Sequence, residues 1–185
     1  MDVSVSDAQA RHHRQGLLIP TARSLVAGIL ENVPNAGRAV ISIHCHDDLG
    51  MATANTLEAL ASGARQAECS VNGIGERTGT ACLEEIVMAL RARRDVLGLD
   101  TGLDTTKIYP ASRLVSHFTG LPVQPNKAIV GDKAFAYTSG MYQNGVLRGR
   151  TEAESVSYTH LRAHETVLDL VCRLLLEKKN KYINI

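Results

Sequence analysis

Residues 39–97 read AVISIHCHDDLGMATANTLEALASGARQAECSVNGIGERTGTACLEEIVMALRARRDVL, and the alternation inside this stretch decides the fold class. Ala39 to His44, AVISIH, is short and rich in β-branched residues, as suits a strand buried in a parallel sheet. Past the DDLG turn, Met51 to Ala64 reads as a helix of Ala, Leu and Thr, with Asp47 and Asp48 before its start, where the helix dipole favours negative charge, and Gly63 at its end. Ala67 to Val71, AECSV, is a second short strand. Cys82 to Val96 is a second helix, carrying Leu83, Ile86, Val87 and Leu90 at i, i+3, i+4 and i+7. Strand, helix, strand, helix is the pattern of parallel α/β architecture.

Working outward, Thr21 to Val33 reads as a helix closed by the NVPN turn, the crossover that feeds the first strand. Two and a half βα units cannot close a (β/α)₈ barrel, which takes about 250 residues. An open pair of parallel strands leaves both edges bare, so a chain truncated at its N-terminus is expected. From Asp100 to Arg150 turn residues dominate: a Gly/Asp/Thr-rich connection, a helix over Ala111 to Phe118, GLPVQPNKA, and AIVGDKAFAYTSGMYQNGVL. This predicts a small, loop-rich appendage. In Ser155 to Ile185, Val167, Leu168, Val171, Leu174 and Leu175 fall at helical spacing. The string VSYTHLRAHETVLDLVCRLLLEKKN nevertheless resembles translated sequencing-adapter DNA, so 155–185 is read as a non-native tail and kept out of the fold argument.

Composition narrows the classes of partner. Twenty Lys and Arg stand against 19 Asp and Glu, which leaves no basic footprint for nucleic acid. The four cysteines, Cys45, Cys69, Cys82 and Cys172, show no CxxC spacing. The N-terminal residues lack the apolar centre of a secretory signal, and no apolar run is long enough for a membrane span. The expectation is a soluble, cytoplasmic protein with reduced thiols and a small-molecule substrate.

Two stretches carry chemistry. In His44-Cys45-His46-Asp47-Asp48, at the end of the first strand, alternation puts His44 and His46 on one face and Cys45 on the other. Two imidazoles on one face can share a metal, and parallel barrels gather their catalytic groups at the C-terminal ends of strands. Imidazole donors suit a borderline divalent ion such as Zn²⁺ or Mn²⁺ rather than Ca²⁺. The bland alternative is a chance HxH at the surface. The second stretch is the loop Asn72 to Thr80, NGIGERTGT, whose glycines let backbone approach a ligand closely. Its Glu76-Arg77 pair sets an acid beside a guanidinium able to grip a carboxylate by two prongs. Its bland alternative is a turn feeding the next helix, with Glu76 and Arg77 solvated or paired to each other.

Taken with ENVPN, LEEIVMALRAR, DTTKIYP, SRLVSHFTGLPVQPNKAIVG and AFAYTSGMYQNGVL, these stretches resemble the 2-isopropylmalate synthase family over roughly Leu25 to Arg150. The resemblance implies the last two βα units of a TIM (β/α)₈ barrel followed by the appendage. It divides the chain into an unaligned segment 1–24, a partial catalytic barrel 25–98, a linker and the start of a post-barrel subdomain 99–154, and the tail 155–185. It further implies an acyltransferase of leucine biosynthesis that joins acetyl-CoA to 2-oxoisovalerate on a divalent metal (Mn, Mg or Zn), in a homodimer. On that resemblance His44 and His46 are metal ligands, and Glu76 and Arg77 belong to the active-site loop.

The chain also departs from that family. The strand that would supply the aspartate ligand has no counterpart, Thr80 stands where an asparagine ligand is expected, and Tyr137, Tyr142 and Asn144 replace two histidines and an aspartate of the appendage. A hydroxyl is a poorer donor to a cation than an amide carbonyl, and tyrosine, with an ordinary pKa near 10, shuttles protons poorly at neutral pH. The expectation is a fragment without activity of its own. The competing readings are a non-catalytic metal-binding or subunit-interaction module, and a fragment of a homocitrate or citramalate synthase.

Overall fold

The computed structural model describes residues 19–134. Within them the chain forms two compact units, one running to Ile86 and including Asp95–Leu99, the other made of Val87–Arg94 and the residues from Asp100 onward. The segment 1–18, the residues Tyr137, Tyr142 and Asn144, and the tail 155–185 lie outside the described residues.

The first unit opens with helix α1, Ile19–Asn32. Ala22 and Val26, one turn apart, are buried. The helix stops where Pro34 denies it an N–H, and Asn35 turns the chain at φ 64°. A single 3₁₀ turn, Ala36–Arg38, leads to strand β1, Ser42–His44. The strand is shorter than the expected Ala39–His44 because the Ala39 N–H is spent on the Ala36 carbonyl, closing the 3₁₀ turn.

Helix α2, Ala52–Ala61, buries Ala52, Asn55, Thr56, Ala59 and Leu60, a stripe at i, i+3, i+4, i+7 and i+8. It packs on α1 and on β1. Gly63 ends it at φ 121°, and a side chain there would strike Leu30 of α1, so the helices approach closely where the glycine sits. Strand β2, Gln66–Glu68, lies parallel to β1 in the register Ser42↔Gln66, Ile43↔Ala67 and His44↔Glu68. It ends three residues before the expected Val71, because Ser70 turns its N–H to the Ala81 carbonyl and Asn72 takes φ 61°. The two faces of this pair differ: Ile43 is buried, whereas Ser42, His44, Gln66 and Glu68 form a polar face.

Helix α3, Leu83–Ala92, and a further turn of helix, α4, Arg94–Leu97, replace the single expected helix Cys82–Val96. Ile86, Val87 and Leu90 of α3 are buried, as their spacing requires, and Leu83 is half-buried. In the second unit Asp104 caps a 3₁₀ turn, Thr105–Lys107, by accepting from the Thr106 amide at 3.0 Å. That turn runs straight into helix α5, Ile108–Thr119, which therefore begins three residues before the expected Ala111. Pro110 is tolerated there because first-turn N–H groups have no partner inside a helix. Gly120, at φ 70°, closes α5, and the segment after it folds back through the Arg113–Asp132 ion pair and the buried Val130. No helix among the described residues is long and apolar enough to cross a membrane.

Candidate metal-binding and loop site

The end of β1 sets His44 and His46 side by side. Their Nε2 atoms are 3.3 Å apart, and the rings meet edge to face at 72° with centroids 4.8 Å apart. Cys45, between them, lies beside the Thr56 hydroxyl of α2, so it points to the opposite layer as strand alternation demands. Burial pushes its thiol above the ordinary range, and the Thr56 contact offsets part of that.

The backbone after His46 is fastened from three directions. Asp47 donates its N–H to the Gly79 carbonyl at 2.9 Å, accepts at its own carbonyl from Gly50, and takes the first-turn N–H of Ala52 on Oδ1 at 2.8 Å. The last contact is the negative charge at the start of α2 that its sequence calls for.

The glycine-rich loop lies against this segment. Its returning limb, Gly79 to Ala81, runs antiparallel to Cys45–Asp47: His46 and Thr80 form a bridge, and Ala81 donates to the Cys45 carbonyl. The loop then crosses itself where the Thr80 amide donates to the Gly73 carbonyl at 3.0 Å. Gly79, at φ 103°, is obligatory at that crossing, since a methyl group there would occupy the place of the Gly73 carbonyl oxygen. Below the loop, Glu84 in the first turn of α3 is only 1% exposed and accepts from the Asn72 amide at 3.1 Å. The same carboxylate, after burial itself, raises the Cys69 thiol.

The four expected site residues fare differently. His44 and His46 come together. Arg77, at φ 56°, turns both prongs onto Asp48, with Nε 2.7 Å from Oδ1 and Nη2 2.8 Å from Oδ2. That bidentate contact holds the guanidinium above its ordinary pKa. Arg77 does grip a carboxylate, and the carboxylate is the protein's own. Glu76 is exposed in the loop. Thr80 is buried beside His46, with its hydroxyl 2.9 Å from that of Ser70. Glu68 and Glu84 were not singled out in the sequence, and Asp48 was read there only as part of HCHDD and as a charge before α2. The sequence marks Glu68 only as a carboxylate in a short parallel strand; the register of that strand puts it on the same face as His44.

Two ring nitrogens each ~2.0–2.1 Å from one tetrahedral ion stand about 3.3–3.4 Å apart. The His44–His46 separation of 3.3 Å meets that condition. Among the described residues no group of three or more His, Cys, Asp and Glu is placed to hold an ion, so the pair amounts to half a ligand set.

Comparison with known proteins places the chain among relatives. The profile of the HMGL-like family matches residues 16–115. The 2-isopropylmalate synthase of Carboxydothermus hydrogenoformans is 60% identical over 129 residues, 70% of this chain and 25% of that protein. That of Nitrosomonas europaea is 58% identical over 130 residues, 70% of this chain and 26% of the relative. That of Paraburkholderia phymatum is 56% identical over 142 residues, 74% and 28% respectively. The chain thus spans about a quarter of the length of the curated relatives it matches.

Proposed function

The chain belongs to the HMGL-like family, and from that premise we propose that it carries part of the active site of a 2-isopropylmalate synthase, with β1 to α3 as the last two βα units of a barrel. The whole enzyme would condense acetyl-CoA with 2-oxoisovalerate in the cytoplasm, as a homodimer, in leucine biosynthesis. The observation that carries this reading is the convergence of the His44 and His46 Nε2 atoms at 3.3 Å on the polar face of the sheet.

A divalent ion, Zn²⁺, Mn²⁺ or Mg²⁺, held by those two nitrogens would supply Lewis acidity toward the keto acid. The protein's own residues do the rest. Strand alternation aims both imidazoles the same way, and the His46–Thr80 bridge fixes the second of them against the loop. The Asp48–Arg77 pair tethers the loop that carries Glu76 to the turn that follows the histidines. Glu76 and Arg77 are proposed as loop residues that face substrate once that tether exchanges for a substrate carboxylate.

Activity requires more than the described residues provide. The Thr80 hydroxyl, in the position expected of an amide ligand, is engaged by Ser70, and two imidazoles alone leave an ion without fixed geometry. The expected outcome is therefore split. Calorimetric titration of the full chain with Zn²⁺ should show one weak site that disappears in both His44→Ala and His46→Ala. A thiol-release assay with acetyl-CoA and 2-oxoisovalerate should show no CoA. Zn²⁺ binding unchanged by either substitution would refute the metal reading, and turnover that depends on His44 would refute the inactivity.

A further inference from the structure

Glu68 is opposite His44 in the parallel ladder and on the same face. Its carboxylate reaches β1 with both oxygens: Oε1 accepts from the Ser42 hydroxyl at 3.1 Å, and Oε2 lies 3.2 Å from His44 Nδ1. The other ring nitrogen of His44 faces His46. Three groups thus stand in a row along the polar face: carboxylate, imidazole, imidazole.

We propose that Glu68 is a positioning residue that fixes His44 as its Nδ1–H tautomer and turns the Nε2 lone pair toward His46. A neutral imidazole carries one N–H, and an ionised carboxylate can only accept. The proton therefore belongs on Nδ1, facing Oε2. Nε2 is left as a bare donor atom, the form a divalent cation needs. In the cation-free chain, His46 supplies the hydrogen across the 3.3 Å gap.

Ser42 has a part in this. The Glu68 side chain is 54% exposed, and a carboxylate so placed rotates freely unless its second oxygen is held. The Ser42 hydroxyl holds it, two residues before His44 on the same strand. A carboxylate orienting a ligand histidine and raising its basicity is a recurring outer-shell arrangement at metal centres, and its loss typically costs ~10–100-fold in metal affinity. The role in cation binding rests on the function proposed above, whereas the tautomer assignment stands on the Glu68 geometry alone.

The test is a long-range ¹H–¹⁵N correlation spectrum of the full chain labelled in histidine, recorded without metal in the alkaline range where imidazoles are neutral. His44 should be in the Nδ1–H form. Glu68→Ala should move it to the Nε2–H form that an unconstrained imidazole favours. Glu68→Gln, which keeps an acceptor oxygen, should preserve the wild-type tautomer. Because Glu68 is at the surface, both variants should keep the wild-type circular dichroism spectrum. In parallel Zn²⁺ titrations, Glu68→Ala should weaken binding by ~10–100-fold. A His44 tautomer unaffected by Glu68→Ala overturns the proposal. A tautomer that switches while neither Glu68→Ala nor His44→Ala alters Zn²⁺ affinity confirms the positioning role and overturns the metal reading of the pair.

Discussion

Gly79→Ala tests whether the glycine-rich loop is built the way its geometry implies. At φ 103° an L-residue is strained whatever surrounds it, and the added methyl group would occupy the place of the Gly73 carbonyl oxygen. Holding a non-glycine residue in such a region costs about 1–3 kcal/mol. Moving the Gly73 carbonyl aside breaks the bond it accepts from Thr80, a further ~1 kcal/mol. Gly79 also accepts from Asp47, and that bond is strained by the same displacement. The expected loss is about 3 kcal/mol, a large fraction of the ~5–15 kcal/mol that keeps a typical domain folded. Gly50→Ala is the control: at φ 71°, with nothing within 4 Å of its added methyl group, it pays only for backbone strain. Urea unfolding of the full chain, followed by circular dichroism, should place the Gly79→Ala midpoint well below that of Gly50→Ala, at equal slope. Midpoints that coincide would mean that the loop does not cross itself at Gly73, and the account of how Thr80 reaches His46 would fail with it.

Three further outcomes are expected. Glu84→Leu should leave the Asn72 amide without its acceptor and cost ~1–3 kcal/mol by the same measurement; no loss would show that the Val71–Gly73 turn does not depend on α3. Arg77→Asp should speed amide exchange in the loop, and the double variant Asp48→Arg with Arg77→Asp should restore part of the protection; equal exchange in all three would dismiss the tether. Asp104 is held below its ordinary value near 3.8, first by the Thr106 hydroxyl and then by its amide. The unfolded chain therefore takes up the proton first, so this contribution to stability is present above about pH 4 and is lost as pH falls through the lowered folded value. Thr106→Val should move the Asp104 carboxyl toward 3.8 in an NMR titration, and an unmoved value would reject the hydroxyl as the main cause.

Much of the first unit was legible because short-range physics dictates it. Alternation in SIH, the helix expected over Met51 to Ala64 and its stop at Gly63 are each local, and the structure follows them with a helix over Ala52–Ala61. Strand ends were not legible, since they depend on which carbonyl takes the Ala39 and Ser70 amides, a long-range matter for the second. The shared face of His44 and His46 follows from a spacing of two. The partner of Arg77 does not: its left-handed backbone and the 29-residue separation from Asp48 carry no signature in GIGER. Glu68 was hidden for a similar reason. Its meaning depends on the register of two parallel strands, which a crossover helix sets and no local pattern records.

Asp47 joins three elements of the first unit. One residue past His46, it ties the start of α2, the Asp47–Gly50 turn and the returning limb of the loop into a single knot through its side chain, its carbonyl and its amide. Contacts that share one residue are coupled through it, so these three elements are expected to open as one unit of local unfolding. The imidazole beside that knot cannot wander while the knot holds. Precision at the end of β1 is thus bought with brittleness, for a displacement of Asp47 as a whole loosens a helix, a turn and a loop at once.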